Sequence, residues 1–407
     1  MKNIAIIGGG AAGFFAAITA KKQNKNNEVF IFERSKRVLA KVAITGGGRC
    51  NVTNSFNEIS SLTTAYPRGH KLLKRLFNIF DYTSCYQWFE EHGVKLITQE
   101  DNCVFPQSQD AQSIVQCLVN EAHKLGVKVI TDHWLENIEA QENGTICLHF
   151  KDKGKRCFDA VAITTGGSPR IEPLQYLAKC GHKIEQPVPS LFTFNINNNS
   201  LKSLMGTVIP NASLHIPGSK INSSGALLIT HWGISGPATL KLSSYAARIA
   251  KEQNYKIPIA INWANGFSIA EVETLLKDTI QNNPQKQISS IRFLDITNRV
   301  WTFLLSRADI DCQKKCNELS KKMINKLIET LTNDIYTTNG KGAFKEEFVT
   351  CGGVSLKSIH SNTLESKHIP NLYFAGEVLD IDAITGGFNL QAAWTTGYVV
   401  GLNIGKE

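Results

Sequence analysis

The sequence contains no Cys-x-x-Cys pair, although ten cysteines are spread along its 407 residues. Cys312 and Cys316 are four residues apart in a segment predicted to be helical, but no histidine or further cysteine nearby completes a metal-ligand set. The absence of a redox-active pair argues against a disulfide reductase. We therefore expect reduced thiols, a cytoplasmic location and no metal site.

Long apolar runs are absent as well, since no stretch reaches the roughly 18 residues that would predict a membrane span. No membrane partner is expected. The net charge of +9 would favour an anionic partner, but the lysines are dispersed along the chain. Short basic clusters such as Lys21–Lys22 and Lys314–Lys315 are interpreted as solvated helix faces, so no nucleic-acid partner is expected.

The N-terminal segment carries the clearest motif. Residues 4–7 (IAII) suit a buried parallel strand, and Gly8-x-Gly10-x-x-Gly13 follows directly. A helical pattern comes next, and a second apolar run ends at Glu33. This order is the context that a dinucleotide-binding fingerprint requires. The glycine backbone and the helix N-terminus would hold a pyrophosphate, and Glu33 would bind a ribose.

A second glycine-rich stretch, TGGGRCN at residues 45–51, favours FAD over NAD. In a simple NAD domain another helix and strand would follow Glu33. Here three successive glycines leave bare backbone that a flat or charged ligand can approach. Thr45, Arg49 and Asn51 add hydrogen-bonding groups and a cation. We interpret this loop as one wall of an FAD site.

Two further glycine-containing stretches agree with this interpretation. Residues 160–170 (AVAITTGGSPR) form an apolar strand that ends in two glycines. Near the C-terminus a strand leads to Glu377, and GGFN at residues 386–389 precedes a predicted helix. Glu377 would bind ribityl hydroxyls, and the helix N-terminus would stabilise negative charge on a reduced flavin.

Four stretches, GGGRCNVTN, ITHWGISGPATLKLS, VTCGGV and AGEVLDIDAITGGFNLQAAWTTGYVVG, together resemble the HI0933-like flavoproteins of the glutathione-reductase-like FAD superfamily. The resemblance is collinear over nearly the whole chain. Members are described as aminoacetone-oxidase-like proteins, as reductases of unsaturated steroid-like ketones, or only as NAD(P)/FAD-dependent oxidoreductases. Cys103 stands where the family pattern has an arginine.

The resemblance implies non-covalently bound FAD and a set of cofactor-binding residues. The first glycine motif would hold the pyrophosphate, Glu33 the adenosine ribose, the backbone at Leu135 the adenine, and the residues around Gly387 the isoalloxazine. The complete candidate set is Gly8, Gly10, Ala11, Ala12, Gly13, Glu33, Arg34, Lys41, Thr45, Gly46, Gly47, Arg49, Cys50, Asn51, Leu135, Thr165, Gly166, Gly167, Gly376, Glu377, Gly387, Phe388, Asn389 and Leu390.

The order of predicted elements indicates an α/β fold, in which a Rossmann-like, glutathione-reductase-like FAD-binding domain is interrupted by inserts. Residues 1–188 and 335–407 are assigned to this discontinuous domain. Apolar alternation within 189–262 predicts a β-barrel-like insert, and helical patterns within 263–334 predict a helical insert. The insert has no second Gly-x-Gly-x-x-Gly motif, so a separate NAD(P)H domain is not expected. NAD(P)H is a candidate transient electron donor.

These features predict an FAD-dependent oxidoreductase that transfers a hydride between flavin N5 and a small organic substrate, an amine or an unsaturated ketone. His231 and Cys50 are the weak candidates for a catalytic side chain, and a structural role stays open for both. Two other functions also stay open: an FAD-dependent RNA-modifying enzyme and a redox-inactive flavin-binding protein. The sequence does not indicate an oligomeric state.

Overall fold

A computed structural model of the chain describes residues 1–342 and 349–406. The chain divides into two compact units, Met1–Pro189 with Val349–Glu407, and Ser190–Phe348. The strands are β1 (Asn3–Ile7), β2 (Glu28–Phe32), β3 (Thr53–Asn54), β4 (Leu96–Thr98), β5 (Cys103–Pro106), β6 (Lys128–Ile130), β7 (Leu135–Ala140), β8 (Ile146–Phe150), β9 (Gly154–Phe158), β10 (Ala160–Ile163), β11 (Ile184–Ser190), β12 (Phe194–Ile196), β13 (Val208–His215), β14 (Asn222–Ile229), β15 (Gly233–Ser235), β16 (Pro258–Asn262), β17 (Asp334–Lys341), β18 (Val349–Val354) and β19 (Leu372–Phe374).

The helices are α1 (Ala11–Gln23), α2 (Ala40–Gly48), α3 (Leu62–Ala65), α4 (His70–Leu76), α5 (Tyr82–Glu91), α6 (Gln112–Lys124), α7 (Gln175–Lys179), α8 (Asn199–Lys202), α9 (Pro237–Glu252), α10 (Ile269–Gln281), α11 (Asn298–Arg307), α12 (Lys321–Thr332) and α13 (Phe388–Asn403). Short 3-10 helices cover Glu172–Leu174, Ile288–Ser290, Cys316–Glu318, Leu356–Ser358 and Gly376–Val378. Among the described residues, no helix combines the length and the apolar character that crossing a bilayer requires.

A five-stranded parallel sheet organises the first unit, with the strand order β19-β10-β1-β2-β6. Strands β1, β2, β10 and β19 are short, mostly apolar runs that are almost wholly buried, as expected for strands covered on both faces, whereas the edge strand β6 is largely exposed. In the central strand β1, Ile4 pairs with Val29 on one side and Ala160 on the other. The predicted Rossmann-like sheet is therefore confirmed.

Helices α1 and α13 pack against each other at unusually short range. A Cβ atom at Gly397 would lie 2.4 Å from the carbonyl oxygen of Ala12, and one at Gly401 would lie 2.7 Å from that of Ala16. Both glycines of α13 therefore permit an approach that any larger residue would prevent. Because both contacts advance along the two helices in the same direction, α1 and α13 run parallel.

One prediction about the cysteines is wrong. Cys147 and Cys157 form a disulfide, with their Cα atoms 3.9 Å apart. They occupy directly opposed positions on the antiparallel strands β8 and β9. The two residues lie ten positions apart in a hairpin, so the pairing register brings them together without a Cys-x-x-Cys motif. Among the other cysteines, Cys50, Cys85, Cys117, Cys180, Cys312 and Cys316 are thiols outside any disulfide.

A closed six-stranded barrel, with the order β12-β15-β14-β13-β16-β17, forms the core of the second unit and confirms the predicted barrel-like insert. Helices α10, α11 and α12 follow in the region predicted to be helical. The sequence predicts that the chain returns to the FAD-binding domain at residue 335. This is wrong for the residues of β17, because that strand pairs with β12 and β16 and closes the barrel. Residues 343–348 of the predicted return lie outside the described residues.

The segment around Lys314–Lys315 also differs from its prediction as a helix face. Lys315 forms an isolated β-bridge with Gln287, and the Ile288 N–H donates to the Lys314 carbonyl oxygen at 2.8 Å. Only Cys316–Glu318 forms a single 3-10 turn. Pairing with a segment nearly thirty residues earlier overrides the local helical spacing.

We expect Gly397→Ala to lower the free energy of unfolding by roughly 1–3 kcal/mol, because its methyl group would overpack the contact with α1. Helix propensity alone would instead favour alanine by about 1 kcal/mol. Urea unfolding followed by tryptophan fluorescence measures the sign of the change in the free energy of unfolding. Ala393→Gly in the same helix is the control for propensity. A Gly397→Ala protein as stable as the parent would contradict the packing argument.

Candidate functional site

The three glycines of the first motif have different roles. Gly8 has a φ of +115°, and a Cβ there would lie 2.4 Å from the Thr164 carbonyl oxygen. A Cβ at Gly13 would lie 2.0 Å from the Gly8 carbonyl oxygen. At Gly10, by contrast, φ is an ordinary −98° and no protein atom lies within 4 Å of the added Cβ. The fold therefore requires Gly8 and Gly13, whereas Gly10 keeps a space clear that the protein itself does not fill.

The N-terminus of α1 is open to a ligand. No side chain caps this helix end, and its first turn contains no acidic residue. The N–H groups of Ala11 and Ala12 and the positive end of the helix dipole can therefore serve an anion. Together with the clear space at Gly10, this end of the helix fits the pyrophosphate of FAD.

Glu33 joins the end of β2 to the glycine motif. Its carboxylate accepts hydrogen bonds from the Gly9 N–H and the Ser35 N–H, each at 2.9 Å. The Glu33 carbonyl oxygen accepts a hydrogen bond from the His133 N–H at 2.9 Å, which brings the chain just before Leu135 alongside. A carboxylate held in this position fits the adenosine ribose of the predicted cofactor.

The TGGG segment at the end of α2 is a loop in its dihedral angles. Thr45 has a ψ of 152°, while Gly46 and Gly47 adopt left-handed conformations with φ of 58° and 70°. Gly48 and Cys50 also have positive φ. The left-handed backbone therefore favours glycine at these positions, in addition to the bare surface that the sequence predicts. A Cβ at Gly47 would have no protein atom within 4 Å, so its open side can accept a ligand.

Arg49 and Cys50 support this loop from within the protein. The Arg49 guanidinium carbon lies 4.3 Å from the centroid of the Phe105 ring, and its Nε–H donates to the Gly46 carbonyl oxygen at 3.2 Å. Cys50 is wholly buried, and burial raises its pKa to about 12. Cys50 therefore remains a protonated thiol at neutral pH, which suits packing better than nucleophilic catalysis.

The segment from Asn51 to Asn54 ties the glycine loop to the start of α13. With its amide oriented to satisfy its neighbours, Asn51 accepts from the Gly387 N–H at 3.1 Å and donates to the Thr53 carbonyl oxygen at 2.9 Å. The Asn54 side chain donates to the Gly386 carbonyl oxygen at 3.1 Å. Because a Cβ at Gly387 would lie 2.3 Å from the Thr53 carbonyl oxygen, this junction requires glycine.

At the N-terminus of α13 the side chains face the protein, and the backbone is left for a ligand. The Asn389 side chain bonds both the N–H and the carbonyl oxygen of Ala383, at 2.9 and 3.1 Å. Phe388 is buried, and its carbonyl oxygen accepts from the Tyr66 hydroxyl at 2.9 Å. No side chain caps the helix and no acid lies in its first turn. The helix end from Gly387 to Leu390 can thus stabilise negative charge on a flavin ring.

Two predicted residues from distant parts of the sequence, Lys41 and Gly167, lie next to the side chain of Glu377. Its carboxylate contacts the Lys41 Nζ at 2.9 Å and accepts from the Thr350 N–H at 2.8 Å. A Cβ at Gly167 would lie 2.5 Å from the same carboxylate. Next to Glu377, Gly376 has a φ of +76°, and a Cβ there would lie 2.9 Å from Ala12 Cβ, in the first glycine motif. Thr165 and Gly166 complete this edge at the end of β10.

The catalytic candidate His231 belongs to the second compact unit. His231 is exposed in the turn between β14 and β15, where its ring lies 4.0 Å from that of Trp232. Sequence reasoning also missed two contributors, Thr350 and Asn54. Thr350 lies in the VTCGGV stretch that carried the family resemblance, so a role for this stretch could have been sought. Over residues 1–342 and 349–406, no group of three His, Cys, Asp or Glu side chains could hold a metal ion.

Comparison with known proteins agrees with this geometry. The chain matches the model of the HI0933-like protein Rossmann domain over residues 2–403. Of the solved structures, the 3-ketosteroid-delta4-(5alpha)-dehydrogenase from Rhodococcus jostii RHA1, in complex with 4-androstene-3,17-dione, has a similar fold. Its TM-score is 0.53 at 14% identity, and the match covers 100% of this chain and 97% of that one.

Three relatives match along almost their whole length. A ribosomal RNA dihydrouridine synthase from Haemophilus influenzae is 28% identical, over 99% of this chain and 98% of its own. A synthase of the same name from Escherichia coli K12 is 27% identical, over 97% and 95%. A 3-dehydro-bile acid delta(4,6)-reductase from Clostridium scindens is 26% identical, over 98% of both chains.

We expect Gly10→Val to leave the fold intact and to abolish FAD binding, because its side chain would enter only the space left for the pyrophosphate. Gly13→Val is the matched contrast and should destabilise the apoprotein itself, since its Cβ would overlap the Gly8 carbonyl group. Thermal unfolding of apoprotein and flavin absorbance after reconstitution separate the two effects. A Gly10→Val protein that binds FAD like the parent would contradict the assignment.

Gly47→Asn tests the second glycine loop, because asparagine tolerates the left-handed backbone better than other residues with a side chain. We expect an unchanged unfolding temperature of the apoprotein, but lower FAD occupancy or a shifted flavin spectrum after reconstitution. Gly144→Asn, at an exposed turn with φ of +82° and open surroundings, is the control. Equal occupancy and spectra in both variants would show that the Gly47 loop does not adjoin the cofactor.

Proposed function

Because the chain belongs to the HI0933-like family and is an FAD-dependent oxidoreductase, we propose that it reduces a carbon–carbon double bond conjugated to a carbonyl group. The names of all three relatives describe such a reduction. Dihydrouridine is uridine with its ring double bond saturated, and a delta(4,6)-reductase acts on double bonds conjugated to the 3-keto group of its substrate. The single observation that carries the proposal is full-length similarity to relatives of both kinds.

Residues of the first unit would prepare this reaction. Bound FAD would supply a hydride from its reduced ring to the β-carbon of the conjugated system, while a proton reaches the α-carbon. The Gly10 space and the uncapped α1 N-terminus would hold the pyrophosphate, and Glu33 the ribose. The N–H groups at the start of α13, fixed by Asn51, would favour the anionic reduced ring. NAD(P)H is the proposed donor that restores the reduced cofactor.

We propose a uridine of ribosomal RNA as the substrate. Two of the three relatives carry that activity in their names. The charge of this chain supports the choice, because RNA binding depends on cations that neutralise phosphates. The whole chain carries 44 lysines and arginines against 35 aspartates and glutamates, which gives a net charge of +9. This proposal departs from the expectation that the protein has no nucleic-acid partner. It takes up the alternative of an FAD-dependent RNA-modifying enzyme.

A free unsaturated ketone is the second candidate. The Clostridium scindens relative supports it, since its similarity covers this chain as completely as that of the synthases. A steroid-like enone has the same acceptor chemistry as uracil, but it lacks a phosphate backbone. The amine substrate considered from the sequence has no support among these three relatives.

Expression in an Escherichia coli strain that lacks its own ribosomal RNA dihydrouridine synthase tests the proposal. We expect dihydrouridine to return to the ribosomal RNA, detected by mass spectrometry of nucleosides. The Gly10→Val protein, which would lack FAD, should not restore it. In parallel, the purified protein would be assayed with NADPH and either unmodified ribosomal RNA or a 3-keto-4,6-diene steroid.

The two assays give distinct outcomes. Reduction of RNA alone supports the uridine proposal, and reduction of the steroid alone supports the second candidate. Failure with both substrates, in protein that holds FAD and accepts electrons from NADPH, would contradict the proposed double-bond reduction.

A further inference from the structure

We propose that an exposed basic surface around Trp134 binds a single-stranded segment of the RNA substrate. This inference rests on the proposed function and adds where the polynucleotide is held. We call it the Trp134 surface, and its members are Arg34, Lys36, Arg37, Trp134, Lys151 and Lys153.

Backbone contacts bring three separate segments together to form this surface. The His133 N–H donates to the Glu33 carbonyl oxygen at 2.9 Å, so the chain before Trp134 runs beside the end of β2. The Asp132 N–H donates to the Ser35 carbonyl oxygen at 3.3 Å. The Lys151 N–H donates to the Trp134 carbonyl oxygen at 2.9 Å, which adds the turn between β8 and β9. The surface is therefore built on the same unit as the FAD cradle.

Trp134 gives this surface a feature that a merely solvated basic face lacks. Its side chain is 51% exposed. The Arg34 guanidinium carbon and the Lys151 Nζ each lie 6.0 Å from the Trp134 ring centroid. An exposed aromatic ring among cations is the combination with which proteins bind single-stranded nucleic acid, since bases stack on the ring and phosphates meet the cations.

The cations of the Trp134 surface are available to a ligand. All five are exposed, and none has a carboxylate within ion-pair distance in the part of the chain that the structure describes. Neighbouring lysines differ, because Lys128 pairs with Glu28 at 3.0 Å and Lys155 pairs with Glu139 at 2.6 Å. Two exposed carboxylates, Asp132 and Asp152, leave the local charge positive.

The position of the surface suits a polynucleotide better than a small substrate. It begins directly after Glu33, at the adenosine end of the proposed cradle, whereas the N-terminus of α13 lies at the flavin end. A steroid-like enone at the flavin end would not extend to Trp134. An RNA chain can place one uridine at the flavin end and still contact the Trp134 surface through other nucleotides.

Charge reversal at the turn between β8 and β9 tests the phosphate contacts. We expect Lys151→Glu with Lys153→Glu to weaken binding of a fluorescein-labelled oligouridylate at least tenfold, measured by anisotropy on the FAD-loaded protein. The slope of log affinity against log salt should become shallower by about 1.4, because two phosphate contacts are lost. Lys314→Glu with Lys315→Glu has the same charge change in the second unit and is the control. Equal weakening in both double variants would overturn the proposal, because it would reflect net charge alone.

Trp134→Ala and Trp134→Phe test the stacking contact. We expect the alanine variant to lose RNA affinity and the phenylalanine variant to recover most of it, while both keep a full complement of FAD. Loss of FAD from Trp134→Ala with unchanged RNA affinity would overturn the stacking role and assign the ring to the adenine of the cofactor.

Activity separates this proposal from the proposed function. If the parent protein reduces ribosomal RNA and the Trp134 surface variants do so with unchanged KM, the proposed surface is wrong and the function stands. If the parent protein neither binds oligouridylate nor reduces ribosomal RNA, the proposed RNA substrate and the surface are both overturned. A raised KM for RNA with unchanged NADPH-dependent flavin reduction is the result that supports the surface.

Discussion

The close packing of α13 against α1 is the contact on which the candidate site depends. Gly397 and Gly401 let the two helices run parallel at a separation that no side chain would permit. Phe388 precedes Gly397 by nine residues, so α13 begins about 13 Å of helix before its contact with the start of α1. One packing contact therefore sets the spacing of two uncapped helix N-termini. That spacing fits the proposed site, in which one positive helix end would hold a pyrophosphate and the other would adjoin the ring of the same extended cofactor.

Glycine serves three separate physical needs in this site. At Gly13 and Gly387 a side chain would collide with neighbouring backbone, so the need is internal space. At Gly46 and Gly47 the need is a left-handed backbone. At Gly10 neither applies, and the empty volume in front of the residue identifies the place for a ligand. A sequence shows all of these positions as the same letter. Only the structure separates the glycines that shape the cradle from those, such as Gly10 and Gly47, that have open space in front of them.

Features that depend on local order could be predicted from the sequence, and features that depend on distant pairing could not. The first strand, the glycine motif, the helix and Glu33 follow each other within one supersecondary unit, so their arrangement is encoded locally. The limit of the insert was misplaced because β17 is paired with β12, some 140 residues earlier. The disulfide was missed for a similar reason, since only the hairpin register opposes Cys147 and Cys157. Arg49 was expected to bring a cation to the FAD site, and its partners within the protein are the Phe105 ring, the Gly46 carbonyl oxygen and the Gln109 side chain.

Selection of a substrate must come from residues outside the cofactor cradle. The relatives named for ribosomal RNA and for a bile acid resemble this chain to nearly the same degree along its length. Residues that hold FAD serve both chemistries equally, because each needs the same hydride delivered to the same kind of conjugated double bond. The two substrates differ in size and charge. An RNA continues as a polyanion beyond the reacting uridine, whereas a steroid-like ketone has no such extension. Exposed cations that the fold gathers from separate segments are invisible as a cluster in the sequence, where their lysines and arginines look dispersed. Under the proposed function, the choice between RNA and a small ketone would therefore be encoded in the surface outside the cradle rather than in the glycine motifs.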